Sequence, residues 1–308
     1  MDTKVLYVKY NPSRRDDYLI ETSIYESNGR CYVKKEALTV EAKRHIKRMD
    51  YNYNRLLDIN SEDVVRLTPI VDRGEDYIVY EYVRGDSLYD MLCEYFYSDA
   101  KDNFINLIDR YYYLLVKFLR PTDIFTTDDS EIFLFDGIDM DYIKGLANYA
   151  QVSYFDLIFS NIISTGQDYV VIDYEWLFNT SLPIHYIFYR ALKYGFYGIH
   201  LSAGVDVNDC VEFTYFMDKY GICEDEIKTY DMIERNLQRH VSGEKQEIAG
   251  RYREGKEIDF EGEMQTLQRE VAVLRRELDL FPHRVTSRWV DIFRKSPFVM
   301  KLYNALKG

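Results

Sequence analysis

The first ninety residues show the apolar and polar alternation that is typical of β-strands. Segments 5–10, 18–26 and 31–37 are rich in β-branched and aromatic residues. Between the second and third segments lies Asn28-Gly29, a residue pair that strongly favours a tight hairpin turn. Three consecutive antiparallel strands are therefore expected at the start of the chain.

A helix and two more strands complete this region. Thr39 is placed to cap a helix over 40–57, whose apolar residues recur on one face. Apolar runs at 64–74 and 76–83 predict the fourth and fifth strands. The sequence thus predicts an α+β lobe over residues 1–83, with five strands and one helix after the third strand.

From residue 84 the pattern becomes helical. Asp86 or Ser87 can cap a first helix, and 102–119 forms a long, strongly apolar second one. The acidic stretch 122–142 predicts a surface insertion with a short hairpin. A hairpin follows near 155–178, and further helices end near residue 240, so a second lobe is expected over 84–241.

The remaining segments predict a linker, a coiled coil and a basic tail. Residues 242–257 are polar, and 258–281 carry apolar residues at alternating steps of three and four, which indicates a coiled coil and a homo-oligomer. Residues 282–308 combine basic and aromatic residues, as in helices that bind the surface of the inner membrane. The alternative is a tail packed on the acidic main body, in a monomer with its helix folded back.

The charge and the cysteine content of the chain argue against several classes of function. The chain of 308 residues carries a net charge of -13, which argues against nucleic acid as a partner. Its four cysteines form no C-x-x-C pair, so a zinc site or a disulfide framework is not expected. With no signal peptide and no run of about 18 apolar residues, the sequence indicates a cytoplasmic protein.

Three polar residues around the predicted hairpin have the spacing of a phosphoryl-transfer site. Asp156 is followed by Asn161 five residues later, and Asp173 comes directly after an apolar strand. In protein kinases an Asp of this spacing accepts the hydroxyl proton, while the Asn and the second Asp hold Mg²⁺. A turn cap and a strand-end loop residue are the alternatives for the two aspartates.

These motifs give the chain a resemblance to a known superfamily. "FDLIFSNII" and "VVIDYEWLF", with "EYVRGDSL" at 81–88, resemble the protein-kinase-like fold and its branch of aminoglycoside and choline phosphotransferases. The likeness covers about residues 1–240 and is greatest to kinase modules of bacterial surface-polysaccharide biosynthesis, including O-antigen chain-terminating kinases. The resemblance implies a two-lobed fold, with ATP and Mg²⁺ as cofactors.

The resemblance also implies where the nucleotide binds. The backbone of Glu81 to Val83 would meet the adenine edge, and a lysine of the third strand would hold the phosphates. Lys34 and Lys35 both qualify, but side chains alternate along a strand. Lys35 shares its face with the compact Val33, whereas Lys34 shares its face with Tyr32, so Lys35 is expected to be the catalytic lysine.

Three positions depart from the pattern of the superfamily. The loop between the first two strands, "NPSRRDD", has no glycine, so Arg14 or Arg15 would contact the phosphates directly, unless both are surface charges. Glu41 is expected to orient Lys35, or else to be a first-turn carboxylate favoured by the helix dipole. The usual His-Arg before the catalytic Asp is Tyr154-Phe155.

The acceptor is expected to be a small hydroxyl compound. After Asp173 the chain becomes helical within about ten residues, which leaves no platform for a peptide substrate. The polysaccharide resemblance implies a sugar or a glycan terminus. The alternative from another class is an inactive pseudokinase that serves as a scaffold for glycan-assembly enzymes.

Overall fold

The computed structural model describes residues 3–60, 64–166, 168–203, 207 and 211–243. The segments predicted as coiled coil and basic tail lie outside these residues, as does the predicted linker beyond Gly243. No helix of the described part has both the length and the apolar content needed to cross a membrane.

The N-terminal sheet has five antiparallel strands in the order β1-β2-β3-β6-β5. Its strands are β1 (Thr3–Tyr10), β2 (Ile20–Ser27), β3 (Arg30–Ala37), β5 (Ile70–Arg73) and β6 (Tyr77–Glu81). Asn28 and Gly29 have φ angles of 51° and 74°, which are the left-handed values that a two-residue hairpin needs. The predicted five-stranded lobe is confirmed.

One helix, α1 (Lys43–Ile59), packs on this sheet. It buries Ile46, Met49 and Leu56. The helix begins three residues later than predicted, because the chain first makes a turn in which the Thr39 hydroxyl accepts a hydrogen bond from the Ala42 N–H at 3.2 Å.

A second, four-stranded sheet joins the two lobes. It contains β4 (Arg66–Leu67), β10 (Tyr169–Val171), β9 (Ile162–Ser164) and β7 (Asp86–Ser87), in that order. The prediction of a single strand over 64–74 is therefore wrong. The Thr68 N–H donates to the carbonyl of Val171 at 3.0 Å. The next residue, Pro69, has no N–H to donate and separates β4 from β5.

The C-terminal lobe is helical, as predicted. Its helices are α2 (Leu88–Tyr97), α3 (Lys101–Leu119), α4 (Met140–Lys144), α5 (Ile184–Ala203), α6 (Phe213–Lys219) and α7 (Glu224–Ser242). A two-stranded sheet of β8 (Ser153–Tyr154) and β11 (Leu177–Phe178) completes it. Ser87 caps α2 reciprocally with Asp90, which selects Ser87 from the two predicted caps.

The acidic segment 122–142 does not form the predicted hairpin. It contains a 3₁₀ helix, Asp129–Phe135, followed by α4. Leu134 and Phe135 are buried, and the Asn236 amide of α7 donates to the carbonyl of Leu134 at 3.0 Å. Leu134 and Phe135 therefore belong to the core instead of to a surface loop.

Candidate functional site

The loop after β8 brings Asp156 and Asn161 together. The Asn161 amide donates to the backbone carbonyl of Asp156 at 3.0 Å, which closes the loop on itself. The Trp176 N–H donates to the Asp156 carboxylate at 2.5 Å, and only 8% of Asp156 is exposed. This carboxylate is therefore held in one orientation from the opposite side of the hairpin.

The second aspartate, Asp173, follows β10 and points into the same cleft. Its backbone carbonyl accepts a hydrogen bond from the Tyr154 hydroxyl, and its carboxylate contacts Lys35 Nζ with both oxygens, at 2.7 and 2.8 Å. Tyr154 thus supplies a hydrogen bond to the strand end that carries Asp173. Sequence reasoning noted this position but assigned it no role.

Lys35 lies in the cleft, and Lys34 does not. Lys35 is buried, whereas Lys34 pairs with Glu36 at 2.6 Å and lies over the ring of Tyr77 on the other face of β3. Burial disfavours the charged lysine, but Asp173 and Glu175 outweigh it and raise the pKa of Lys35. The side chain is therefore a fixed cation beside the carboxylates.

Glu175 lies between two cations, Arg14 and Lys35, and the ring of His45. Its carboxylate contacts Arg14 at 2.5 Å, His45 Nε2 at 3.0 Å and Lys35 Nζ at 3.4 Å. Burial opposes its ionisation, but Lys35 and Arg14 outweigh burial and hold the pKa of Glu175 well below its usual range. Glu175 is therefore an anion, and its three contacts join the two lobes.

Glu41 does not lie in this group. It is exposed in the turn before α1, whereas His45, one helical turn later, faces the cleft. Residue 41 was expected there because it is the only Glu of the helix predicted over 40–57. His45 was missed, and the later helix start is the local feature that would have indicated it.

Burial beside two other carboxylates changes the acidity of Asp156. Burial raises the pKa of Asp156 to about 7, with further contributions from the negative charges of Asp173 and Glu175, and the Trp176 N–H and Lys35 oppose the shift only in part. A carboxylate with a pKa near neutrality can take up a proton during a reaction, as a general base requires.

The oxygens of this cleft suit magnesium. The Asn161 amide oxygen and the Asp173 carboxylate are the hard ligands that Mg²⁺ accepts, with substrate phosphates and water completing its coordination. Within the described ranges no three His, Cys, Asp or Glu side chains form a metal-binding group, so an all-protein cage is not present there. A metal at this position would therefore be held jointly by the chain and by a phosphate-bearing ligand.

The connection between the lobes has an exposed backbone and a closely packed glycine. The Tyr82 N–H donates to the Cys31 carbonyl at 3.2 Å, whereas the Val83 N–H has no hydrogen-bond acceptor among the described residues. Gly85 has a φ of 152°, and a Cβ there would lie 2.3 Å from the carbonyl oxygen of Ser164. Glu81 and Val83 thus lie at the edge of the cleft, and Gly85 allows β7 to approach β9.

The cleft face of the sheet also contains a buried hydroxyl without a partner. Tyr80 pairs in register with Val33, so it lies on the same face of the sheet as Val33 and Lys35. Tyr80 is buried, and its hydroxyl has no hydrogen-bond partner within the described part of the chain. A polar group left unpaired in this way is consistent with a ligand or water beside it.

A cavity of about 460 Å³ lies in the C-terminal lobe beside the 3₁₀ helix and α7, and the β1–β2 loop contributes Arg15 to its wall. The ring of His240 stacks on Phe133 in its wall, with centroids 3.7 Å apart, and the Tyr18 hydroxyl contacts His240 at 2.5 Å. The lining residues are Arg15, Ile132, Phe133, Phe135, Asp136, Gly137, Met140, Asn236, Arg239 and His240. Tyr18 also packs on Trp176, which places this cavity one aromatic layer from the residue that binds Asp156.

No protein-family model matches the chain, and no curated protein sequence matches it. Several solved structures are similar. A thermostable mutant of aminoglycoside phosphotransferase APH(4)-Ia, in the apo form, is 12% identical with a TM-score of 0.47, over 89% of this chain and 95% of that chain. Choline kinase LicA from Streptococcus pneumoniae is 12% identical with a TM-score of 0.42, over 88% and 93%. Macrolide 2'-phosphotransferase type I is 12% identical with a TM-score of 0.38, over 79% and 89%.

Proposed function

We propose that the chain is an ATP- and Mg²⁺-dependent phosphotransferase that moves the γ-phosphoryl group to a hydroxyl of a small molecule. The observation that carries this proposal is the meeting of Lys35 and Asp173, at 2.7 Å, in the cleft that also holds Asp156. These residues come from three separate segments of the chain. Phosphoryl transfer needs this combination of cation, metal ligand and base, with little covalent help from the protein.

In this mechanism Asp156 accepts the proton of the acceptor hydroxyl as its oxygen attacks the γ-phosphorus. The bond from phosphorus to the β,γ-bridging oxygen breaks, and ADP leaves. Lys35 holds the nucleotide phosphates, and Asn161 and Asp173 would hold magnesium. The metal neutralises phosphate charge when it is bound.

The nucleotide base is proposed to lie along the lobe connection. The carbonyl of Glu81 and the free N–H of Val83 offer the acceptor and donor that an adenine edge requires. Arg14 and Lys35 both contact the Glu175 carboxylate, so Arg14 is close enough to Lys35 to contact the same phosphates. The glycine-free loop between β1 and β2 would then use a side chain in place of backbone N–H groups.

The acceptor is proposed to be a saccharide or a glycan terminus, bound in the cavity beside the β1–β2 loop. The short path from Asp173 through β11 to α5, which begins at Ile184, supports a small acceptor. The stacked rings of Phe133 and His240 offer an apolar surface of the kind that packs on a sugar ring. Arg15 and Arg239 in the lining favour an acceptor that carries negative charge.

A place in surface-polysaccharide biosynthesis remains a proposal, supported by the resemblance of the motifs. Residues 258–281 would form the oligomer through a coiled coil, and residues 282–308 would bring the protein to the cytoplasmic face of the inner membrane. An acceptor built on a lipid carrier would then be close to the enzyme.

Thermal unfolding with and without Mg·ATP tests the nucleotide site. A ligand that binds only the folded state at a hundredfold excess over its Kd stabilises by about 2.7 kcal/mol. We expect a magnesium-dependent rise in Tm for the wild type and its loss in Asp173→Asn. The matched control is Asp168→Asn, the same substitution at an exposed end of the same hairpin. A wild type without a shift, or an unchanged shift in Asp173→Asn, would contradict the proposal.

An inactive scaffold is the second candidate, and one observation favours it. Lys35 occupies both oxygens of Asp173, and Arg14 is paired with Glu175, so both candidate phosphate cations already have carboxylate partners. Turnover of Mg·ATP with candidate acceptors separates the two readings. An enzyme loses turnover in Asp156→Asn while it keeps nucleotide binding, whereas a scaffold shows no turnover in the wild type.

A further inference from the structure

Glu175 is contacted by side chains from three different elements. Arg14 belongs to the β1–β2 loop, Lys35 to β3 and His45 to α1. The Glu175 side chain is 6% exposed, so these contacts are shielded from solvent. Charge interactions are stronger there than in water. Loss of this carboxylate would remove one polar contact from each of the three side chains.

The backbone of Glu175 is itself fixed. Its N–H donates to the Asp173 carboxylate at 3.2 Å, and its carbonyl accepts from the buried Asn52 amide of α1 at 3.1 Å. The same Asn52 amide donates to the carbonyl of Tyr174 at 2.8 Å. The carboxylate therefore starts from a backbone that α1 holds at two successive residues.

Lys35 needs a second carboxylate if Asp173 serves a metal. Both oxygens of Asp173 now accept from Lys35, but a carboxylate shared with a divalent cation binds an ammonium group less strongly. Glu175 is the other carboxylate in contact with Lys35 Nζ. Helix α1 presents His45 to this cleft, and Glu41 is exposed.

We propose that Glu175 is the positioning residue of Lys35, and that His45 and Arg14 hold Glu175 from the opposite side. This inference rests on the proposed nucleotide site. From the resemblance, helix α1 was expected to supply the carboxylate that orients Lys35. In the proposed arrangement the segment after β10 supplies this carboxylate, and α1 supplies His45 as its cationic or hydrogen-bonding partner. Glu175 acts through Lys35 and does not contact the reacting atoms.

The test compares the affinities for Mg·ATP and for adenosine. Lys35 would contact phosphates only, so a positioning defect weakens Mg·ATP and leaves adenosine unchanged. In Glu175→Gln we expect the Kd of Mg·ATP to rise about tenfold or more, the loss associated with a hydrogen bond to a charged group. The matched control is Glu36→Gln, the same substitution next to Lys35 on β3, where the carboxylate pairs with Lys34.

A double variant tests the role of position 45. In His45→Glu/Glu175→Gln, the amide oxygen can accept from Lys35 while the amide N–H donates to the new carboxylate. One negative charge is thereby restored to the group, and we expect the Kd of Mg·ATP to recover by at least half of the loss on a logarithmic scale. If Glu175→Gln does not fold, Glu175→Asp keeps the charge, withdraws it from Lys35 and provides the same comparison.

The outcomes separate this inference from the proposed function. If the wild type does not bind Mg·ATP, both the proposed nucleotide site and this inference are wrong. A wild type that binds Mg·ATP, with an unchanged Kd in Glu175→Gln, overturns the inference alone. Equal loss of Mg·ATP and adenosine would also overturn it, because a general disturbance of the pocket would then explain the result. A double variant as weak as Glu175→Gln would overturn the role given to His45.

Discussion

The Tyr154 hydroxyl donates a hydrogen bond to the backbone carbonyl of Asp173, so the residue two positions before Asp156 fixes the strand end that bears the candidate metal ligand. Tyr154 is fully buried, and Asp173 is half-buried. The two segments of the site, at 154–161 and 169–175, are therefore linked at their bases as well as at the Asp156 carboxylate.

Tyr154→Phe should weaken both folding and nucleotide binding. The variant removes this donor from the Asp173 carbonyl, and loss of a hydrogen-bond donor from a carbonyl shielded from water costs about 1–3 kcal/mol of unfolding free energy. We expect a lower Tm and a higher Kd for Mg·ATP. Tyr149→Phe is the matched control, because the Tyr149 hydroxyl donates to the buried carbonyl of Ile143 outside the cleft. That variant should lose stability with an unchanged Kd, and a parallel change in Kd would contradict the role of Tyr154.

Asp156 should make the protein less stable as the pH rises towards neutrality. Burial raises the pKa of Asp156 from 3.8 to about 7, so between these values the folded protein binds more protons than the unfolded chain. The contribution of this carboxyl to the unfolding free energy is fully present below pH 3.8 and declines as the pH rises to about 7.

Urea unfolding of wild type and Asp156→Asn across this range measures the effect. Because the other titrating groups are common to both proteins, the wild-type unfolding free energy minus that of the variant should fall by a few kcal/mol from about pH 4 to pH 7. A difference that is constant or that grows with pH would show that the pKa of Asp156 is not raised in the folded protein.

Gly85→Ala should separate β7 from β9. The added Cβ would lie 2.3 Å from the Ser164 carbonyl oxygen, and the φ of 152° is unfavourable for alanine. We expect a loss of more than about 3 kcal/mol in unfolding free energy. Gly29→Ala is the control, since Gly29 also has a positive φ but has no atom within 4 Å of the added Cβ. Its loss should be about 1 kcal/mol, and equal losses would exclude the close contact as the cause.

Arg239→Gln should affect the acceptor and leave the nucleotide unaffected. Arg239 lines the cavity and makes an exposed ion pair with Asp136 at 3.4 Å, which contributes little stability. With an anionic saccharide acceptor, we expect the acceptor KM to rise about tenfold, at unchanged Tm and Mg·ATP affinity. Arg235→Gln, one turn earlier on α7 and outside the cavity lining, should change neither quantity. An unchanged acceptor KM in Arg239→Gln would remove the cavity as the acceptor site.

The local patterns predicted the elements that depend on short-range rules. The Asn28-Gly29 turn, the alternation that selects Lys35 and the Ser87 cap each follow from a few adjacent residues, and the structure contains all three. The three spaced residues Asp156, Asn161 and Asp173 also converge, because a hairpin brings its two ends together.

The predictions from sequence were wrong where contacts between distant segments of the chain determine the local structure. The strand expected at 64–74 divides at Pro69 because its first part pairs with β10, which is about a hundred residues away in sequence. The acidic segment 122–142 contains helices because its 3₁₀ helix packs on α7, where the Phe133 ring stacks on His240 and the Leu134 carbonyl accepts from Asn236. Glu41 is exposed, whereas Glu175 contacts Lys35, and no spacing rule within α1 could indicate a carboxylate from the other lobe.

The four-stranded sheet has a consequence for the way the molecule unfolds. Because β4 from the N-terminal segment pairs in parallel with β10, which leads to Asp173, the N-terminal lobe cannot detach without breaking the sheet that carries the hairpin of β9 and β10. The amides of these central strands should exchange their hydrogens only when both lobes open together. The two lobes would thus be one cooperative unit in folding, even where the cleft between them separates two binding regions.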